Sequence, residues 1–305
     1  MKFSTLRRLF ASFVILVVLL FSADRVGSYA LDLVVKQSGF RFSELYAGGN
    51  SAEIVVLGNS RAVNAFYAPD LEKKLGRSVF HLGYNGMSTE LCEAIIFDYL
   101  DHNKKPSLII LEVTNLGVSN DLIKDIKLYA GLSTRLRSLI QREDPQLNRA
   151  CAFTHLYRYN SELFLRTLFY TGKSDQAWIN SGNIDPDFAI NFVPSEEEQS
   201  QNLYPITGSN WKALQRLVVK CAAEGIELRL VASPYLPAFR NNLALYDSWV
   251  DTFHASLPEA DLFYDYTQSL TDSEYFADTL HINRKGSRAL LDAMIQDGVF
   301  NSESL

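Results

Sequence analysis

The 305-residue chain is short of several things that would narrow its reading. Its three cysteines, Cys92, Cys151 and Cys221, stand far apart. They are too few for a disulfide framework, and no Cys-x-x-Cys or Cys/His cluster suggests a metal site. Basic residues are outnumbered, 29 Lys and Arg against 35 Asp and Glu, for a net charge of −6. That argues against nucleic acid as a partner, because binding phosphate backbones needs a net basic face. There is no internal repeat, no low-complexity tract and only one hydrophobic run that approaches membrane-spanning length. What remains is ordinary for a globular protein, with 47% hydrophobic and 21% charged residues. Such a chain can bury a full core in one or two domains.

The one long hydrophobic run is at the N-terminus. Lys2, Arg7 and Arg8 precede LFASFVILVVLLF, Leu9 to Phe21, and Asp24 and Arg25 end it. A basic flank before an apolar stretch reads as an export signal. Residues 1–28 are therefore a signal anchor or a signal peptide. Cleavage would use the small-x-small pattern Ser28-Tyr29-Ala30. Retention would lengthen the span through Ala23 and the snorkelling of Arg8 and Arg25. Residues 29–51 read as a juxtamembrane helix and linker. In either case the remainder, 52–305, is expected outside the cytoplasm, at the membrane surface or secreted.

From Ile54 onward the chain alternates. Ile54 to Leu57 is wholly apolar, the mark of a strand buried on both faces. APDLEKKLG follows as a short helix with Pro69 in its first turn and Gly76 past its end. SVFHL (78–82) is a second strand, and Ser88 can cap a helix running to about His102. SLIILEV gives a third strand. After residues 118–205, an aromatic-rich and partly helical insertion, the rhythm resumes. A helix spans about Asn210 to Glu224, a strand IELRLVA (226–232), a helix about Leu243 to Leu257, a strand DLFYDY, and a last helix from Arg284 to before Gly298. This predicts a three-layer α/β/α fold on a parallel five-stranded sheet. Ligands of such sheets bind at the carboxyl ends of the strands.

Four strand ends carry chemistry-bearing residues. The first reads Gly58-Asn59-Ser60-Arg61, with a serine placed to expose its hydroxyl. After the second come Gly83 and Gly86, where a substrate can approach the backbone N–H groups closely. The third ends in Thr114-Asn115, whose amide is a neutral donor for a developing oxyanion. After the fifth comes Asp278-Thr279-Leu280-His281, a carboxylate three residues from an imidazole. Each has a bland counterpart: a helix cap, an Asn-Gly turn, a strand-end turn, a chance spacing.

Taken in this order, these residues resemble the SGNH (GDSL-like) hydrolase superfamily. The resemblance covers about residues 52–297, apart from the insertion. It implies Ser60 as nucleophile, His281 as general base, Asp278 as its orienting carboxylate, and the Ser60 and Gly86 N–H groups with the Asn115 amide as oxyanion hole. It implies no metal and no cofactor. Two positions depart from the family pattern: Gly-Asp-Ser reads Gly58-Asn59-Ser60, and Gly-x-Asn reads Val113-Thr114-Asn115. The chain looks more like the membrane-anchored members linked to acylation of envelope or extracellular polysaccharide.

The resemblance therefore implies an exported serine esterase or O-acyltransferase. Its partners would be an acylated polysaccharide or small acyl ester, and membrane acylation machinery. The alternative is a catalytically inactive module of the same fold that binds glycan or scaffolds such machinery. An unrelated flavodoxin-like binding domain is a third reading, which the lone Gly58 after the first strand supports poorly. Asn59, Arg61 and Tyr235 are candidate substrate contacts at the site edge, although Arg61 can equally pair with a neighbouring carboxylate. Asp265 is a second acid or a strand-end cap, and the aromatics of the insertion line a sugar site or form a small core.

Overall fold

The protein is described from a computed structural model, which covers residues 3–114, 122–196, 198, 206–257 and 263–301. It divides into two compact units. One comprises residues 48–122 and 174–305, the other residues 1–47 and 123–173.

The larger unit is α/β. Five strands, β1 (Ile54–Leu57), β2 (Val79–His81), β3 (Leu108–Glu112), β4 (Glu227–Ala232) and β5 (Phe263–Asp265), form one sheet in the order β2-β1-β3-β4-β5. Every pairing is parallel. All four residues of β1 are fully buried, as its unbroken apolar sequence requires of a central strand covered on both faces. Helix Thr89–His102 packs with Gly208–Glu224, and helix Arg284–Gln296 packs with Ser60–Ala65, completing the α/β/α layering. At the free edge of β2, the Gln176 side chain takes the place of a strand. Its Oε1 accepts from the His81 N–H at 2.6 Å and its Nε2 donates to the His81 carbonyl at 3.3 Å. Capping the edge at His81 in this way removes two ladder groups that another chain could join.

The expected helices and strands are present, with shifted ends. Ser88 caps Thr89–His102, its side chain accepting from the Leu91 N–H. Gly76 takes the left-handed conformation that closes Ala68–Leu75. The helix expected from about Leu243 begins at Tyr246. Pro237 starts a separate four-residue helix, Pro237–Arg240, and the chain must turn before the next can begin.

The smaller unit takes up part of what the sequence presents as a single insertion. Residues 123–173 group with the N-terminal segment, and the α/β unit resumes at Ser174. Its principal element is one continuous helix, Phe3–Lys36. Within it, Leu6–Lys36 is long and apolar enough to cross a membrane. Its apolar residues up to Phe21 are exposed, whereas Ser28 and Val35 are buried. The polar residues that follow the apolar run are engaged. Asp24 accepts from the backbone N–H groups of His155 and Leu156, both at 2.9 Å. The Tyr159 hydroxyl donates to the Ser28 carbonyl at 2.6 Å and also lies 2.7 Å from Asp32. Further along, Phe40, Phe42, Tyr46 and Tyr129 form an aromatic core with ring centroids 5.4–5.9 Å apart. In the segment expected as juxtamembrane helix and linker, the first helix continues to Lys36 and a second, Arg41–Ala47, follows.

Candidate active site

The end of β1 sets the site. Gly58 has φ +135°, and a side chain there would bring Cβ to 2.7 Å from Ala62 Cβ and 3.0 Å from Glu112 Cβ. Only glycine fits, and its turn delivers Ser60 as the first residue of helix Ser60–Ala65. The N–H groups of a helix's first turn have no intrahelical partner, so that of Ser60 is available as a donor.

The loop after β5 brings the other two residues to Ser60. Asp272 caps the 3₁₀ turn Ser273–Tyr275, and an isolated bridge pairs Phe276 with Ile282. Asn283 caps the last helix, accepting from the N–H groups of Lys285 and Gly286, and its Nδ2 donates to the Glu274 carbonyl at 2.8 Å. Within this pinned loop, Asp278 Oδ1 accepts from the backbone N–H groups of Leu280 and His281, each at 2.9 Å. His281 Nδ1 lies 2.9 Å from both carboxylate oxygens of Asp278, and its Nε2 lies 2.8 Å from Ser60 Oγ. With the carboxylate on Nδ1, that nitrogen carries the proton and Nε2 accepts from the serine hydroxyl. The His281 side chain is 21% exposed and that of Asp278 50%. Burial pushes the Asp278 carboxyl upward. The hydrogen bond and charge of His281 and the two backbone N–H groups outweigh it, and the net shift is downward.

Beneath Ser60 lies a buried polar cluster. The Glu112 carboxylate, fully buried at the end of β3, accepts from Ser233 Oγ at 2.8 Å and from the hydroxyl of Thr114. Arg61 is 2% exposed. Its Nε lies 2.5 Å from Thr114 Oγ1 and 3.4 Å from Glu112. Its two terminal nitrogens donate to the carbonyls of Leu280, Ser233 and Pro234. Its guanidinium carbon sits 3.6 Å from the centre of the Tyr235 ring, a desolvated cation–π contact.

These positions correct two of the expected substrate contacts, Asn59 and Tyr235, and decide for Arg61 in favour of the pairing with a neighbouring carboxylate, Glu112. Arg61 and Tyr235 are interior residues holding the strand ends together, because a guanidinium with five donors finds its acceptors in converging carbonyls. Asn59 is also buried. Its Oδ1 accepts from the Arg61 N–H at 2.9 Å, capping the helix, and its Nδ2 donates to the Thr114 carbonyl at 3.1 Å. Asp265 is a strand-end cap, accepting from the N–H and hydroxyl of Thr267. Gly86 lies in an exposed turn with φ +75°. Asn115 falls outside the described residues. Sequence reasoning passed over Glu112. The available signal was a charge ending an otherwise apolar buried strand, opposite an arginine that follows the first strand.

No metal-binding group of three or more His, Cys, Asp or Glu residues occurs among the described residues. All three cysteines are free and buried, and burial raises the Cys92 thiol to about 12.

No family model and no curated protein matches the chain. Among solved structures it is similar to that of a protein from Streptococcus pneumonia provisionally identified as a platelet activating factor. The two share 11% identity over 94% of this chain and 98% of that one, with a TM-score of 0.39.

Proposed function

We propose that the protein is a membrane-anchored serine esterase or O-acyltransferase acting on acyl esters, acetyl above all, of an envelope or extracellular polysaccharide. The observation that carries this reading is the hydrogen-bonded line from Asp278 through His281 to Ser60 Oγ, with its two distances of 2.9 and 2.8 Å.

In this reading, Ser60 Oγ attacks the ester carbonyl while His281 Nε2 takes its proton. Asp278 holds the imidazole in the required tautomer and stabilises its charged form. The oxyanion of the tetrahedral intermediate is met by the N–H groups of Ser60 and Gly86, with the Asn115 amide as the third donor the family resemblance implies. One such donor typically contributes about 3–4 kcal/mol to the transition state. Collapse expels the alcohol, which leaves with the proton from His281, and an acyl-Ser60 ester remains. His281 then deprotonates water or a sugar hydroxyl, which attacks the acyl carbonyl and frees Ser60. Neither half-reaction calls for a metal or an organic cofactor.

The experiment is hydrolysis of p-nitrophenyl acetate by the full-length protein in detergent, beside Ser60→Ala. Turnover that disappears in a folded Ser60→Ala protein supports the reading. Absence of turnover, together with failure of a fluorophosphonate to label Ser60, would sink it in favour of a glycan-binding module.

A further inference from the structure

The smaller unit contains a cavity of about 530 Å³. We infer that it is a binding site for a phosphate mono- or diester anion presented at the membrane surface.

Three arginines line it: Arg25 on the N-terminal helix, Arg137 on helix Thr134–Glu143, and Arg158 in the 3₁₀ turn His155–Tyr159. Two acidic groups partly offset them. Asp24 pairs with Arg25, and Asp32 lies 3.2 Å from Arg158. Among the described residues, the Arg137 guanidinium hydrogen-bonds only to the carbonyl of Ala130, at 3.2 and 3.4 Å, so no carboxylate there offsets its charge. His155 also borders the cavity. Burial, then the positive charges of Arg25 and Arg158, lower its pKa against the opposing pull of Asp24 and Asp32.

Arg158 gives the second, separate observation. Its side chain is only 6% exposed, and its Nη1 is buried without a hydrogen-bond partner. That nitrogen is turned toward Gly131, another lining residue, where a Cβ would lie 1.6 Å from it. A buried guanidinium with one edge unsatisfied lacks an acceptor, and guanidinium forks match phosphate oxygens.

The location suits a headgroup. Arg25 follows Phe21, near the end of the exposed apolar run, by one helical turn, or about 6 Å. Its guanidinium lies over the Phe21 ring at 4.3 Å. Its nitrogens donate to the carbonyl of Phe153, whose own side chain is 82% exposed. If the apolar run lies in a bilayer, the cavity sits at the depth of lipid phosphates, where basic pockets bind headgroups.

The test is calorimetric titration of the full-length protein in dodecyl maltoside micelles with three probes: inorganic phosphate, dioctanoyl phosphatidylglycerol and dioctanoylglycerol. Saturable binding of either phosphate-bearing probe, without binding of dioctanoylglycerol, is expected. Binding of both would mean that the phosphate itself is recognised, and binding of the lipid alone that the headgroup is recognised on its acyl chains. Arg137→Gln, at an exposed position, should weaken binding about tenfold. Arg142→Gln, on the same helix but outside the cavity, should leave it unchanged. No binding of either phosphate-bearing probe, equal binding of dioctanoylglycerol, or equal affinity in wild type and Arg137→Gln would overturn the inference. The readout is binding and does not depend on ester turnover at Ser60.

Discussion

The guanidinium of Arg61 donates to the carbonyl oxygen of Leu280, the residue before His281. One side chain, adjacent in sequence to the candidate nucleophile, thus holds the loop that carries the candidate base, 219 residues away in the chain. The same group reaches the carbonyls after β4 and the carboxylate at the end of β3.

Replacing Arg61 therefore has two separable consequences. Arg61→Met leaves the fully buried Glu112 without its cation, which should cost about 3–5 kcal/mol and produce an unstable protein. Arg61→Lys keeps the charge but replaces the rigid fork with a point charge. That variant should fold, with the His281 loop poorly registered against Ser60. Misplacement by about 1 Å can cost roughly 10²-fold, so kcat on p-nitrophenyl acetate should fall by that order with KM little changed. A folded Arg61→Lys protein with wild-type kcat would reduce Arg61 to a purely structural residue.

Asn59 stands where the resembled family carries aspartate, and its two hydrogen bonds account for the amide. An aspartate would still cap helix Ser60–Ala65, since its carboxylate accepts from the Arg61 N–H equally well. It could not donate to the Thr114 carbonyl 3.1 Å away, and two acceptors would face each other in a buried site. Asn59→Asp should lose about 1–3 kcal/mol of stability, read as a lower urea midpoint at unchanged m. An equal or higher midpoint would show that the bond to Thr114 contributes nothing.

How much of this could be read from the sequence depended on range. Elements specified by local signals were placed within a few residues: the apolar run Ile54–Leu57, the Ser88 cap, and Pro69 with Gly76. The juxtaposition of Ser60 with His281 was inferable because parallel topology gathers strand ends on one edge. The fate of Tyr235 was not, since a tyrosine at a sheet edge looks alike whether it faces solvent or the interior, and for Arg61 the carboxylate partner was foreseeable but the cage of carbonyls was not. Nor was the partition of residues 118–205 at Lys173. The aromatic segments there have no period that says which neighbour they cover, and Tyr129 packs on Phe42 and Tyr46, more than 80 residues earlier in the chain.

Asp278 gives a prediction in pH. Its carboxyl titrates below the ordinary 3.8 because the folded loop favours the charged form. Its contribution to stability is therefore fully present above about 3.8 and disappears as pH falls through the lowered value. Asp278→Asn should be less stable than wild type at pH 6, and the gap should close as pH falls through the lowered Asp278 value. Turnover by the variant at neutral pH should fall by about 10⁴, since an amide no longer selects the Nδ1–H tautomer. A gap that persists unchanged at acid pH would mean that the loop is stabilised by something other than the ionised carboxylate.

The site expected for signal cleavage makes the last prediction. A chain beginning at Leu31, as cleavage after Ala30 would leave it, lacks Asp24, which caps the N–H groups of His155 and Leu156, and Ser28, whose carbonyl and hydroxyl meet Tyr159 and Arg158. Arg158 then keeps Asp32 as its acidic partner while its bond to the Ser28 hydroxyl is gone. A chain beginning at Ser22 retains all of them and still omits the exposed apolar run. The shorter protein should be less stable by about 1–3 kcal/mol for each buried donor left unpaired. At roughly 2–4 °C per kcal/mol, that lowers the melting temperature by several degrees. Serine-dependent turnover should survive in both, because every residue of the Ser60 site lies in the other unit. Equal melting temperatures would mean that residues 22–30 are dispensable to the fold. The helix would then be free to be cut where its sequence suggests, instead of being retained as a part of the smaller unit.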